Sequence, residues 1–218
     1  PALTNEALRL GRMLAELAPG ESEVQGLVAL MELQASRAAA RVDAAGRPVL
    51  LLEQDRARWD RLLIRRGLVA LERAEALARS PGHAAGPYAL QATIAACHAR
   101  ARRADATDWP RIAALYGVLA QVAPSPVVEL NRAVAVGMAF GPAAGLDIVD
   151  TLRQERSLQN YQWLPGVRGD LLAKLGRNDE ARGEFGRAAA LARNAREREL
   201  LLARAQGLAP QGRPPPPP

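Results

Sequence analysis

Two histidines, His83 and His98, and one cysteine, Cys97, are the only imidazoles and thiol in this 218-residue chain. A lone cysteine excludes an intrachain disulfide and fits a reducing compartment, so a cytoplasmic location is expected. Cys97 and His98 are sequence neighbours, and adjacent helical residues point about 100° apart, so they cannot pair as nucleophile and base within one helix. Two histidines and one cysteine cannot build an ordinary zinc site without carboxylates, and no ligand spacing suggests one; neither a metal nor a cofactor is expected. A phosphate-cradling glycine loop and a GxSxG elbow are also missing. This inventory argues against an enzyme. No apolar run approaches the roughly 20 residues of a membrane span, and no signal peptide opens the sequence, so no membrane partner is expected. Aromatic residues are scarce at 4%, and Lys174 is the sole lysine.

What is abundant is alanine, leucine and arginine, with 49% apolar residues overall. Strong helix formers dominate and strand formers are few, which predicts an all-helical chain with ample core. The net charge of +6 invites a nucleic-acid reading, but its distribution argues otherwise. Arginines alternate with acids, as in Glu72, Arg73, Glu75 and Arg79 and again in Arg193, Arg196, Glu197, Arg198 and Glu199. Such interleaving marks a solvated face with local ion pairs, and direct nucleic-acid binding is not expected. The first residue is Pro1 rather than methionine, which points to a piece of a longer protein. The closing run Pro214 to Pro218 predicts a disordered proline-rich tail over 209–218, behind one helical domain over 1–208.

Breakers and apolar spacing predict ten helices. Thr4 caps the first, over 5–18, which Pro19 and Gly20 end; Ser22 opens a second that continues to about Arg41. Residues 42–54, with Gly46 and Pro48, read as an ordered loop. Asp55 caps a third helix that carries Trp59, Leu62, Leu63, Leu68 and Leu71 to Arg79, where Ser80, Pro81 and Gly82 stop it. Others follow from Pro87 to about Arg102, from Trp109 to Val122 behind Thr107 or Asp108, and over 126–139, 143–154, 160–175, 178–192 and 195–206.

Consecutive hairpins joined by short turns raise the question of a repeat, and LGRNDEARGEFGRAA at 175–189 supplies one. Gly169, Leu172, Gly176, Ala181, Phe185 and Ala188 fall where a tetratricopeptide repeat places its small residue, its apolar residue, its turn glycine and the small, large, small series of its second helix. About 36 residues upstream, Ala133, Val136, Gly145, Val149 and Leu152 repeat the size pattern, against a motif length of about 34. Gly169 and Ala181 are expected to let two helices approach closely while Phe185 fills the space beside them. The predicted architecture is a right-handed α-solenoid of about five hairpins, tetratricopeptide-repeat-like, with a concave groove.

Three polar clusters stand out. In the first, Gln54, Asp55, Arg56, Trp59 and Asp60, the expected local roles are an Asp55 cap and an i,i+4 pair of Arg56 with Asp60. The second is Thr107, Asp108 and Trp109, a cap with an aromatic anchor. The third follows Pro124, Ser125 and Pro126, where Asn131 and Arg132 form a polar pair on an otherwise apolar helix; a buried asparagine there would need partners from a neighbouring hairpin or a bound peptide.

Taken together, QDRARWD at 54–60, ATIAACHA at 92–99, TDW at 107–109 and PSPVVELNRAVAV at 124–136 resemble the C-terminal, tetratricopeptide-like extension of extracytoplasmic-function (ECF-type) RNA polymerase sigma factors. The opening EALRLGRMLAELAPGESEVQGLVALM, residues 6–31, is similar to the start of that extension, and the likeness covers residues 2–204. The resemblance implies a regulatory, protein-binding module in transcription initiation, lacking here the promoter-binding regions two and four. It implies as partners the sigma core regions, RNA polymerase or a small regulatory protein of the YCII-related kind. Partner-binding residues are then expected among Gln54, Asp55, Arg56, Trp59, Asp60, His98, Asp108, Trp109, Asn131 and Arg132, and no catalytic residue carries over. Two alternatives compete: a free-standing tetratricopeptide adaptor that captures peptides, and, more weakly, a hydrolase or transferase with an appended solenoid.

Overall fold

Proline in the first turn, a capping side chain just before it, or both mark the starts of six helices. The computed structural model describes residues 2–80 and 84–208. Among these are ten α-helices: α1 (Ala2–Leu17), α2 (Ser22–Ala35), α3 (Arg61–Ala78), α4 (Pro87–Arg100), α5 (Trp109–Val122), α6 (Pro126–Phe140), α7 (Pro142–Thr151), α8 (Trp163–Lys174), α9 (Asn178–Leu191) and α10 (Ala195–Gln206). Proline opens α4, α5, α6 and α7, where its missing N–H costs nothing. Asp60, Asp108, Ser125 and Asn194 cap α3, α5, α6 and α10 by accepting amide hydrogens of the first turn. No strand occurs among the described residues, only an isolated antiparallel bridge between Val42 and Pro48. The Pro81 and Gly82 turn, His83 and the proline-rich tail lie outside the described residues.

Several limits differ from the sequence expectation for local reasons. Thr4 lies inside α1 and caps nothing. The second helix stops at Ala35, where the Ser36 hydroxyl bonds back to the Leu33 carbonyl at 2.7 Å; a 3₁₀ turn at Ala38–Ala40 follows. Asp55 caps only a 3₁₀ turn, Arg56–Arg58, and the true start of α3 is set by Asp60, whose carboxylate accepts from Leu62 and Leu63 at 2.8 and 3.1 Å. Beyond α7 the chain passes through 3₁₀ turns at Leu152–Gln154 and Arg156–Leu158, so α8 begins at Trp163.

Packing groups the chain into two compact units, Pro1–Pro124 and Ser125–Pro218. In the first unit α2 is the hub, packing on α1, α3 and α4, with α5 on α4. Gly26 allows the α2–α4 crossing: a Cβ there would sit 2.6 Å from the Ala89 backbone nitrogen. Ala29, Leu33, Leu71, Ala92 and Ala96 form the core of this unit, and small alanines keep its helices close. The Glu23 side chain from α2 accepts the Tyr88 and Ala89 amides at 2.9 and 3.1 Å, a carboxylate seated on the positive end of α4.

In the second unit neighbouring helices pack in pairs, α6 with α7, α8 with α9 and α9 with α10, a solenoid-like succession. Small residues at the repeat positions of both hairpins allow close approach. A Cβ on Gly145 would meet the Ala133 carbonyl at 2.7 Å, and one on Gly169 would meet the Phe185 ring at 2.9 Å. Val149 and Phe185, the equivalent large residues, are both fully buried, as are Leu172, Ala181 and Ala188. Gly176, with φ of 74°, ends α8, while the amides of Gly176 and Arg177 return to the carbonyls of Ala173 and Leu172 at 3.0 and 2.9 Å. Arg168 ties three helices together by binding Asp150 at 2.7 Å and Glu184 at 2.9 Å. Substituting Gly169→Leu is expected to overpack the α8–α9 contact and cost about 1–3 kcal/mol, read as a lowered thermal midpoint.

Candidate functional site

Three of the motif segments meet in the first unit. Arg56, held inward by the 3₁₀ turn that Asp55 caps through the Ala57 amide at 2.9 Å, extends to the end of α4. There its guanidinium donates to the carbonyls of His98 and Ala101, the latter at 2.8 Å, and to the Thr107 hydroxyl at 3.3 Å. These groups belong to the last turn of one helix and the lead-in to the next, so a single side chain fastens the α4–α5 connection to the segment before α3. The expected Arg56–Asp60 pair does not form: Arg56 turns inward, while Asp60 caps α3 and donates its own amide to the Ser36 carbonyl at 2.8 Å.

Trp59 is the apolar centre of this node, only 3% exposed. Arg56 lies 4.8 Å from its ring centroid and Arg37 lies 5.8 Å away, two cations over one indole. His98 sits edge-on to Trp109, with ring centroids 5.2 Å apart and planes at 75°. Gln54, five residues before Trp59 in the chain, is also buried and donates to the Val49 carbonyl at 3.2 Å. Asp108 is exposed and caps α5 through the Arg111 amide at 3.0 Å. Gln54, Arg56, Trp59 and His98 therefore stand inside the unit, while Asp55, Asp60 and Asp108 present their carboxylates at its surface.

The node is electrostatically uncomfortable. Burial, followed by the charges of Arg41 and Arg56, lowers the Arg37 guanidinium to about 10, and burial also lowers Arg56. Burial and then Arg37 and Arg56 push His98 down to about 4, so its imidazole is neutral at pH 7. Among the described residues, Arg37 Nε, Gln54 Oε1, Arg56 Nε, Trp59 Nε1 and His98 Nδ1 are all buried without a hydrogen-bond partner. Unsatisfied polar atoms gathered at one place lower local stability, a feature that structures tolerate mainly where a site needs it. Cys97, next to His98, is buried, which raises its thiol pKa and keeps it a thiol.

The His98 shift has a measurable consequence. The unfolded chain takes up the His98 proton near pH 6.5 and the folded chain only near pH 4. Stability is thus complete above about pH 6.5 and declines as pH falls towards about 4, by up to about 3 kcal/mol. Urea unfolding across this window should show the decline, and His98→Gln should flatten it.

The third cluster belongs to the second unit and is built differently. Asn131 is exposed on α6, so its amide has no burial to be compensated by a partner. Arg132 is half-buried and pairs one turn back with Glu129 at 2.8 Å. Ser125 caps α6 through the Val127 amide at 3.3 Å. Arg37 was not legible as a site residue, because nothing in SRAAARV signals that its guanidinium joins a distant tryptophan. Thr107, read as a cap, serves instead as an acceptor for Arg56. Among the described residues no group of three or more His, Cys, Asp and Glu side chains could hold a metal ion, and no helix is long and apolar enough to cross a membrane.

Residues 1–75 match the model of a family of unknown function (DUF6596), a stretch that ends within α3. Over 195 residues, 89% of its length, the chain is 50% identical to an uncharacterized protein of Rhizobium meliloti (strain 1021). It spans only 44% of that relative's length. No solved structure matches the chain.

Proposed function

We propose that this chain is the regulatory, protein-binding extension of an ECF-type RNA polymerase sigma factor, acting in transcription initiation without promoter-binding regions of its own. The observation that carries the reading is convergence. QDRARWD, ATIAACHA and TDW, three of the segments on which the resemblance rests, meet around Trp59 and Arg56 although they are more than forty residues apart at the extremes. A generic helical hairpin has no need of an arginine that bonds two distant carbonyls and a threonine, so the specific motifs coincide with a specific device. Further support comes from the 50% identity to part of a relative more than twice as long, which suits a module within a larger polypeptide.

In this reading the buried node sets the shape of the α4–α5 connection. The groups available to a partner are the exposed caps Asp55, Asp60 and Asp108 on the first unit and Asn131 with Arg132 on the second. The partner is a sigma core region, RNA polymerase or a YCII-related regulatory protein, and the setting is the bacterial cytoplasm. The coding sequence preceding Pro1 in the native gene tests the assignment. Sigma regions two and four encoded in the same frame are the expected result. A start codon there with no such regions overturns it in favour of a free-standing adaptor.

A further inference from the structure

α1 and α3 both pack against α2, and between them lies a cleft of about 470 Å³ with α2 as its floor. Its lining follows helical spacing on all three elements: Arg12, Ala15 and Glu16 from α1, Gln25, Val28 and Glu32 from α2, and Arg65, Arg66, Val69, Ala70 and Arg73 from α3. The volume is that of a small-molecule site, whose usual range is about 300–1,000 Å³. Every lining residue lies within the 1–75 segment that the family model matches.

Two features give the cleft a chemical preference. Glu32 is 1% exposed, and although its Oε1 accepts from Arg12 Nε at 2.7 Å, its Oε2 is buried without a partner. A buried carboxylate oxygen in that state calls for a hydrogen-bond donor. Around it stand four arginines, Arg12, Arg65, Arg66 and Arg73, against two acids, Glu16 and Glu32. Among the described residues Arg65, Arg66 and Arg73 make no ion pair. A cationic ligand would suit Glu32 but would be repelled by the arginines, and a simple anion would suit the arginines but not Glu32. Val28, Val69, Ala70 and Ala15 add apolar surface to the same lining.

From this pattern we infer that the α1–α2–α3 cleft binds a small amphipathic organic acid. Its anionic group lies against Arg65, Arg66 and Arg73, its apolar body against Val28 and Val69, and an N–H or O–H donates to Glu32 Oε2. A ligand held by three helices at once fixes α1 and α3 relative to α2, which gives the first unit a means of responding to a metabolite.

Anilinonaphthalenesulfonate has all three parts, a sulfonate, an aromatic body and an anilino N–H, and serves as the probe. Titrated into the full chain, it is expected to bind saturably at one site by calorimetry and fluorescence. Val69→Trp, which fills the cleft from its exposed wall, and the double substitution R66E/R73E should each weaken binding by about tenfold or more. R193E, a charge reversal in the second unit, should leave it within about twofold. The N-methylated anilino analogue, which has no N–H to offer Glu32, should bind about fivefold or more weakly. Circular dichroism confirms that each variant is folded. Non-saturable binding to the unaltered chain, equal binding by V69W, or equal binding of the N-methyl analogue would each overturn the inference.

Discussion

Trp59→Ala is expected to destabilise the first unit by about 3–5 kcal/mol, the range for removing a fully buried tryptophan. The indole is 3% exposed and lies under two guanidinium groups, so its loss opens a cavity and strips Arg37 and Arg56 of their aromatic face. Arg56 would then hold the His98 and Ala101 carbonyls without the ring that positions it, and the α4–α5 connection should loosen with α3. Hydrogen exchange checks this: amides at the start of α5 should lose protection together with those of α3. Trp59→Phe separates the ring from its polar handle. Trp59 Nε1 bonds to nothing among the described residues, so the phenylalanine variant should lose less than about 1.5 kcal/mol. A Trp59→Ala cost below about 1 kcal/mol would mean that the node does not hold the unit together.

In the second unit the largest effect is expected from Phe185→Ala, again about 3–5 kcal/mol. Phe185 is 1% exposed, packs on the bare Cα of Gly169 and carries the Arg204 guanidinium 4.5 Å from its ring centroid. Arg204 in turn pairs with Asp170, so the ring lies between α8 and an ion pair anchored on α10. The same geometry predicts coupling. Gly169→Ala places a Cβ 2.9 Å from the ring in the native background and should be harmful there. In a Phe185→Leu background the clash is relieved, and a double-mutant cycle should return a favourable interaction energy of at least about 0.5 kcal/mol. Strict additivity would place Gly169 and Phe185 out of contact.

These two positions also mark what the sequence could and could not reveal. Gly169, Ala181, Phe185 and Ala188 were legible because a repeat writes its packing into residue size at fixed spacing, and the same sizes recur at Ala133, Gly145 and Val149. Helix starts at Pro87, Trp109 and Pro126 were legible because caps and prolines are local signals. The stretch from Ser36 to Arg41 was not, since SRAAAR carries helix formers without a stop, and the end of α2 is set by a hydroxyl returning to its own helix. The Arg56–Asp60 pair failed for a related reason. Spacing alone predicts it, but Asp60 gains more from two amide hydrogens at the start of α3, and Arg56 from carbonyls more than forty residues away.

The polar side of the first unit was legible only in part. Arg56, Trp59, His98 and Trp109 were singled out by their oddness, yet their meeting depends on how α4 and α5 return to the segment before α3. Glu32, flanked by Met31 and Leu33, shares the buried face of α2 with Gln25, Val28 and Ala29. An acid on that face was the available signal for the cleft. Arg73 reads as a solvated charge beside Glu72 and Glu75, because nothing local tells an arginine facing water from one rimming a cavity.

The proposal that this chain is an interaction module of the transcription apparatus is tested most directly by binding. The purified chain, immobilised, is exposed in turn to RNA polymerase, to sigma regions two and four, and to a YCII-related protein from the same cells. Saturable binding to one of the three, weakened by N131D/R132E with helicity intact, is the result predicted. Absence of binding to all three by a folded chain would contradict it.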